Sequence, residues 1–229
     1  MKRAVVLLSG GLDSSSVAYI AKFDKCQVFP ISFLYGQRHT YELICAERIA
    51  KSLGVETKKV TVGLKGLSDS SLTGSSDIPV EGIQENKIPS TWVPQRNSIF
   101  LALAFAYAES VDADFIYAGM NAIDYSGYPD CRPEFLQAIE KALNLASARF
   151  VEKGKGFGLI TPLVKMTKAD IIKRGVSLGV PYELTWSCYQ GPNELKQACG
   201  VCDSCRLRLK GFAEAGLTDP LKYVEVPND

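Results

Sequence analysis

Two groups of residues in this chain have the types and spacing that chemistry requires. Ser9-Gly10-Gly11-Leu12-Asp13-Ser14 follows a short apolar run, Ala4 to Leu8, and precedes a stretch of helical spacing. Two glycines leave backbone amides open to close approach by an oxyanion. The amino end of a following helix adds unpaired amides and a partial positive charge. Ser9 and Ser14 offer hydroxyls to the same oxygens. Asp13 is poorly suited to touch a phosphate and well suited to hold a Mg²⁺ ion that bridges phosphates. The lysine of a Walker A loop is missing, which is compatible with a nucleotide attacked at its α-phosphate, with pyrophosphate leaving. A glycine turn that merely joins strand to helix is the alternative, and the strand-loop-helix context weighs against it.

The second group is Cys188-x10-Cys199-x2-Cys202-x2-Cys205, four thiols within 18 residues. Thiolates that close repel one another unless a cation lies between them. Four satisfy tetrahedral Zn²⁺ completely and leave no open position, so the expected site is structural and holds one zinc per chain. The tight spacing also resembles part of an iron–sulfur run. Zinc is the preferred reading. The total of seven cysteines is odd and argues against a disulfide framework. Cys26 and Cys45 read as core residues, and Cys131 falls in a loop.

The elements that must position these groups alternate along the chain. Ala4–Leu8, Cys26–Leu34, Val55–Val62, Ala113–Ala118 and a run ending at Leu159–Thr161 read as strands. Ser14–Lys22, Tyr41–Leu53, Asn97–Ser110, Pro133–Ala148 and Thr167–Leu178 read as helices, the last capped by Thr167 with Asp170. Pro30 inside the second strand is unexpected for a central position. Gly63 to Gln95 is rich in Ser, Gly and Pro and has little periodicity. The alternation predicts a doubly wound, mainly parallel five-stranded α/β sheet with helices on both faces, plus a small C-terminal zinc-binding region. The expected organisation is one domain over residues 1–229 with the cysteine-rich region at 187–211.

Lys plus Arg is 26 and Asp plus Glu 25, a net charge of +1, so no bulk basic field holds a polyanion and no nucleic-acid partner is expected. The longest apolar run, Ile99 to Ala108, is half a bilayer span, and Ala4 to Leu8 is too short for a signal-peptide core. A cytoplasmic protein without a membrane partner is therefore expected.

Ser-Gly-Gly-Leu-Asp-Ser resembles the PP-loop of the N-type ATP pyrophosphatases, which share a parallel adenine nucleotide alpha hydrolase-like sheet and adenylate a carbonyl or carboxyl oxygen. Further segments resemble one family within that superfamily, the 7-cyano-7-deazaguanine synthases of queuosine precursor biosynthesis. They are Tyr35-Gly36-Gln37-Arg38-His39, Val93-Pro94-Gln95-Arg96-Asn97, Asn121 to Phe135, Thr185-Trp186-Ser187-Cys188-Tyr189, and Cys199-Gly200-Val201-Cys202-Asp203-Ser204-Cys205. One departure is Gln95, where many members are expected to carry Gly.

The resemblance implies ATP with Mg²⁺ as cofactors and 7-carboxy-7-deazaguanine and ammonia as substrates, and it leaves room for a homodimer. Expected nucleotide contacts are Leu8, Ser9, Gly10, Gly11, Leu12, Asp13, Ser14, Ser15, Ser16, Val17 and Ala18. Asp13, Ser14, His39 and Arg96 are the expected catalytic residues. Arg38, Asn97, Asp124, Tyr125, Ser126, Tyr128, Asp130 and Arg132 are the expected substrate contacts. In these, a carboxylate accepts from the base's N–H groups, a tyrosine stacks on its flat face and an arginine meets its carboxylate. His39 is the sole histidine, so no histidine-based metal triad is available. Two alternatives are a tRNA-thiolating PP-loop enzyme, with Cys131 as sulfur carrier, and a non-catalytic zinc-ribbon adaptor, which leaves the glycine loop unused.

Overall fold

The computed structural model describes residues 1–80, 87–123 and 128–224. In chain order come β1 (Arg3–Leu7), α1 (Leu12–Phe23), β2 (Gln27–Leu34), α2 (Tyr41–Ser52), β3 (Lys58–Thr61), α3 (Arg96–Ser110), β4 (Phe115–Tyr117), α4 (Pro133–Leu145), α5 (Ala148–Lys153), β5 (Gly158–Ile160), α6 (Lys168–Ser177) and α7 (Asp203–Glu214). Among the described residues the strands form one sheet in the order β3-β2-β1-β4-β5, and every pairing is parallel. The order reverses between β1 and β4. A crevice therefore opens beyond the carboxyl ends of these two strands, where ligands bind in such sheets.

Beyond Arg3, β1 is apolar because it is covered on both faces. Ala4 and Val6 face a core built with Val17 and Ala21 of α1, Ile49 of α2 and Ile171 and Ile172 of α6. Val5 faces the other core, with Leu101, Ala104 and Phe105 of α3 and Leu136 of α4. Pro30 is tolerated in β2 for a reason of register. The amides of Gln27 and the carbonyl of Ile31 point to the β1 side, bonding Lys2 and Leu8, so Pro30 points to the β3 side. β3 pairs only from Ile31 onward, so no ladder bond is lost at Pro30.

Two elements differ from the expectation. The helix predicted over Pro133–Ala148 ends at Leu145, because Ser147 accepts the amide of Phe150 at 3.1 Å and caps the separate α5. The cysteine-rich stretch, expected only as a metal-binding region, contains α7, which begins directly after Cys202. The predicted cap of α6 is present: Thr167 Oγ1 accepts from the Asp170 amide at 3.2 Å, and Asp170 accepts from the Thr167 amide at 3.2 Å. Among the described residues no helix is long and apolar enough to cross a membrane.

Candidate active site

The loop after β1 turns through Gly10 at φ +87° and enters α1 with Gly11 as its N-cap. The first-turn amides of an α-helix have no intrahelical partner, and here they face a cavity of about 300 Å³ lined by Leu8, Ser9, Gly11, Leu12, Asp13 and Ser14. Ser9 and Ser14 hold the loop closed, their hydroxyls 3.0 Å apart, while the Ser9 amide donates to Ser14 Oγ at 3.2 Å. The two glycines do different work. A Cβ on Gly10 would lie 2.2 Å from the Glu42 carbonyl oxygen and 2.4 Å from the Ala46 nitrogen, so Gly10 lets the loop press on α2. A Cβ on Gly11 would stand 3.5 Å from its nearest neighbours, on the cavity side. Gly10 does not line the cavity, and its missing side chain makes room for α2.

Asp13 forms an ion pair the sequence did not suggest. Lys168 Nζ, at the start of α6, donates to both carboxylate oxygens of Asp13 at 2.8 Å. Lys168 is buried and lines the same cavity. Its lysine comes from the far end of the chain rather than from the loop, which is why no Walker-type spacing revealed it. Gly119, just past β4, closes the other side, where an added Cβ would lie 3.4 Å from the Ser14 nitrogen.

Across the cavity, Arg96 opens α3 and stands 5.7 Å over the Tyr35 ring. Burial works against its charge, but Tyr35, Tyr128 and Asp130 hold its pKa above the ordinary value, so it stays a cation. Burial pushes the Tyr35 phenol up to about 12. Glu42, also missed in the sequence, lines this wall and accepts from Gln37 Nε2 at 3.2 Å. Burial raises its carboxyl to about 7, with Arg96 and Gln37 pulling the other way. Phe100, Tyr128 and Tyr189 complete a largely aromatic lining.

The four clustered cysteines come together. Their sulfur atoms all lie within 4.8 Å of one another, and those of Cys199 and Cys205 are 3.8 Å apart. Tetrahedral metal–sulfur bonds of about 2.3 Å require sulfur separations of about 3.8 Å. The amide of Cys199 donates to Cys188 Sγ at 3.4 Å and that of Cys202 to Cys199 Sγ at 3.3 Å, bonds that favour thiolates. The donor set suits one closed tetrahedral ion. This segment also touches the glycine loop, where the Trp186 amide donates to the Gly10 carbonyl at 2.9 Å.

The remaining expected site residues divide. Arg38, His39 and Asn97 line the cavity. His39 Nε2 donates to the Cys188 carbonyl at 2.9 Å, and burial lowers its pKa against the opposing pull of that hydrogen bond. Arg38 is exposed and donates to the Ser76 carbonyl. Asp130 does not line the cavity; its Oδ2 accepts the Asn97 amide at 3.1 Å and so supports the start of α3. Arg132 is exposed at the N-cap of α4, away from the cavity lining. Ser15, Ser16, Val17 and Ala18 are packed inside α1 rather than along the cavity. Asp124, Tyr125 and Ser126 lie outside the described residues. Cys131 lines the cavity, but burial pushes its thiol to about 12, which opposes the thiolate a sulfur carrier needs. Arg208, in α7, is a further lining residue that was not anticipated.

A parallel sheet in this order, with a lysine-free glycine loop at its switch point, defines a PP-loop ATP-utilising α/β protein. Among solved structures, NMN synthetase from Francisella tularensis shares this fold at 17% identity and a TM-score of 0.52, over 95% of this chain and 78% of that one. The chain belongs to the family described as queuosine biosynthesis protein QueC, whose model matches residues 3–216. It is 54% identical over 229 residues to the 7-cyano-7-deazaguanine synthase of Thermoplasma acidophilum, covering 99% of this chain and 94% of the relative. It is 53% identical over 228 residues to the enzyme of that name from Thermoplasma volcanium, covering 99% and 92%.

Proposed function

We propose that this protein converts 7-carboxy-7-deazaguanine and ammonia to 7-cyano-7-deazaguanine at the expense of ATP. The observation that carries this reading is a single cavity whose one wall is the glycine loop with Lys168 and whose other wall is Arg96 among aromatic rings. A triphosphate on the first wall and a carboxylate on the second would share one enclosed space, as adenylation requires. The base carboxylate attacks the α-phosphate, and pyrophosphate leaves. Ammonia then displaces AMP to give the amide. A second activation removes the amide oxygen and leaves the nitrile.

The loop amides and Lys168 would hold the phosphates and balance their charge. Asp13 would hold Mg²⁺ carried in with the triphosphate. Arg96 would pair with the base carboxylate, and Tyr35, Phe100, Tyr128 and Tyr189 offer faces for the flat ring. The four thiolates would hold structural Zn²⁺, which supplies no open position for chemistry. The whole chain acts as one α/β domain that includes the region 187–211. A free base rather than tRNA is the expected substrate, and Cys131, held as a thiol, speaks against thiolation. Mass spectrometry after incubation with ATP, ammonia and the carboxy base tests the reading: the nitrile and AMP are expected, and ATP turnover only in the presence of tRNA would overturn it.

A further inference from the structure

Gly211 is buried in the third turn of α7, inside the helix, which runs on to Glu214. A glycine inside a helix is unfavourable relative to alanine, so its presence needs a reason. The reason is visible in what a side chain would meet. A Cβ there would lie 2.3 Å from Lys168 Cγ, 2.8 Å from Lys168 Cβ and 3.0 Å from Ile172 Cδ1. The stem of Lys168 crosses α7 at this point on its way to Asp13, whose two oxygens it meets at 2.8 Å.

Neither side of the contact has room to yield. The obstructed atoms are the first two carbons of the Lys168 side chain, next to the backbone, where a rotamer change swings the ammonium away from Asp13. α7 is pinned at its start by Cys202 and Cys205, which belong to the four-thiol cluster. It is pinned again one turn before Gly211 by Arg208. That guanidinium donates to Asp219 Oδ2 at 2.8 Å and Oδ1 at 3.0 Å, to Thr185 Oγ1 at 2.7 Å and to the Tyr182 carbonyl at 3.1 Å. α6 in turn is fixed by its capping box and by Ile171 and Ile172 in the core.

We infer that Gly211 is a positioning residue for nucleotide binding: by carrying no side chain it lets Lys168 cross α7 and place its ammonium on Asp13 beside the phosphate cradle. The inference rests on the reading of the glycine loop as an ATP cradle. It also gives the cysteine-rich region a second role, since the helix it anchors is the guide along which the lysine reaches the loop. Removing the ammonium takes a phosphate-balancing cation away from the cradle, so ATP affinity is the quantity that responds.

The test is a cycle of four full-length proteins: wild type, Gly211→Ala, Lys168→Ala and the double variant. Mg-ATP affinity is measured by calorimetry, with metal content and thermal unfolding recorded for each. Gly211→Ala and Lys168→Ala are each expected to weaken ATP at least tenfold. The double variant is expected to match Lys168→Ala within about twofold, because the glycine acts only through the lysine. If the two effects multiply, or if Gly211→Ala binds ATP as wild type does, the inference is overturned while the cradle stands. If wild type binds no ATP, the cradle falls and the inference with it. Should Gly211→Ala fail to fold, the double variant decides: folding restored by removing the lysine stem supports the contact, and continued failure overturns it.

Discussion

Gly10 and Gly11 are neighbours in sequence and face opposite ways, so substitution should separate their roles. Gly10→Ala forces a Cβ into the backbone of α2 at φ +87° and is expected to destabilise the fold by on the order of 3 kcal/mol. Gly11→Val, facing the cavity, is expected to leave the unfolding midpoint nearly unchanged and to abolish ATP binding. Thermal unfolding and ATP titration on both variants check this, and a stable Gly10→Ala protein that has lost ATP would reverse the assignment. Glu42 makes a second prediction. Burial raises its carboxyl from the ordinary 4.5 to about 7, so between these values the folded state holds a proton that the unfolded state has lost. Stability attributable to this group is full below about 4.5 and is lost as pH rises through 7, a change on the order of 3 kcal/mol. Glu42→Gln is therefore expected to gain on wild type steadily over that window and to run parallel to it above. Denaturant unfolding of the two ligand-free proteins from pH 4.5 to 8 measures the difference, and a constant gap would show that Glu42 is not held against its charge. At this scale the sequence made some residues readable and hid others. Asp13 and Ser14 sit in a contiguous motif. Lys168 and Glu42 reach the same cavity from remote helices, and nothing local distinguishes them from surface charges. Gln95 was readable as a departure, and its left-handed φ of +58° is the conformation that glycine adopts without strain.

The strands and most helices were legible because their apolar spacing reflects burial on one or two sheet faces. α7 was not, because Cys205, Arg208 and Gly211 on its buried side serve a thiol cluster, an ion pair and a lysine stem, leaving Phe212 as the one large apolar residue buried there. The same feature makes α7 dependent on the segment that follows it. Asp219 accepts from Arg208, from the Leu221 amide at 3.0 Å and from the Tyr223 hydroxyl at 2.6 Å, while the Ala198 amide donates to the Lys222 carbonyl at 2.9 Å. Residues 217–224 thus strap the cysteine-rich region to α7. Both partners of the Arg208–Asp219 pair are almost fully buried, with side chains 2% and 3% exposed. Removing one partner of such a pair leaves the other charge uncompensated. Asp219→Ala is expected to lower stability by about 3–5 kcal/mol and to loosen metal retention, since two of the four thiols, Cys202 at the N-cap of α7 and Cys205 in its first turn, depend on this helix. Denaturant unfolding with metal analysis after dialysis against a chelator checks it. A loss below about 1 kcal/mol with metal retained would show that the strap is dispensable.

The molecule brings one glycine loop, proposed above as the phosphate cradle, and one cation-and-aromatic wall to a single cavity, and that economy constrains the reaction it can run. A carboxyl carbon carries two carbon–oxygen linkages and a nitrile carbon carries none. Carboxylate and amide oxygens are poor leaving groups, so each must be activated before it departs. With one cradle among the described residues, the two activations must occur in succession, the second nucleotide entering after the products of the first have left. The amide is then a true intermediate that either waits in the aromatic half of the cavity or leaves and returns. Three outcomes follow for an assay with the carboxy base doubly labelled with ¹⁸O. Two ATP should be consumed for each nitrile formed. The amide should accumulate when ATP is supplied below that ratio and disappear when more is added. Each labelled oxygen should end in a nucleotide or phosphate product, one per turnover of ATP, rather than in water. Mass spectrometry of the base, the amide and the nucleotide products reads all three. A ratio of one ATP per nitrile, or label released directly to solvent, would mean that one oxygen leaves without activation and that a single cradle used twice is the wrong description of this cavity.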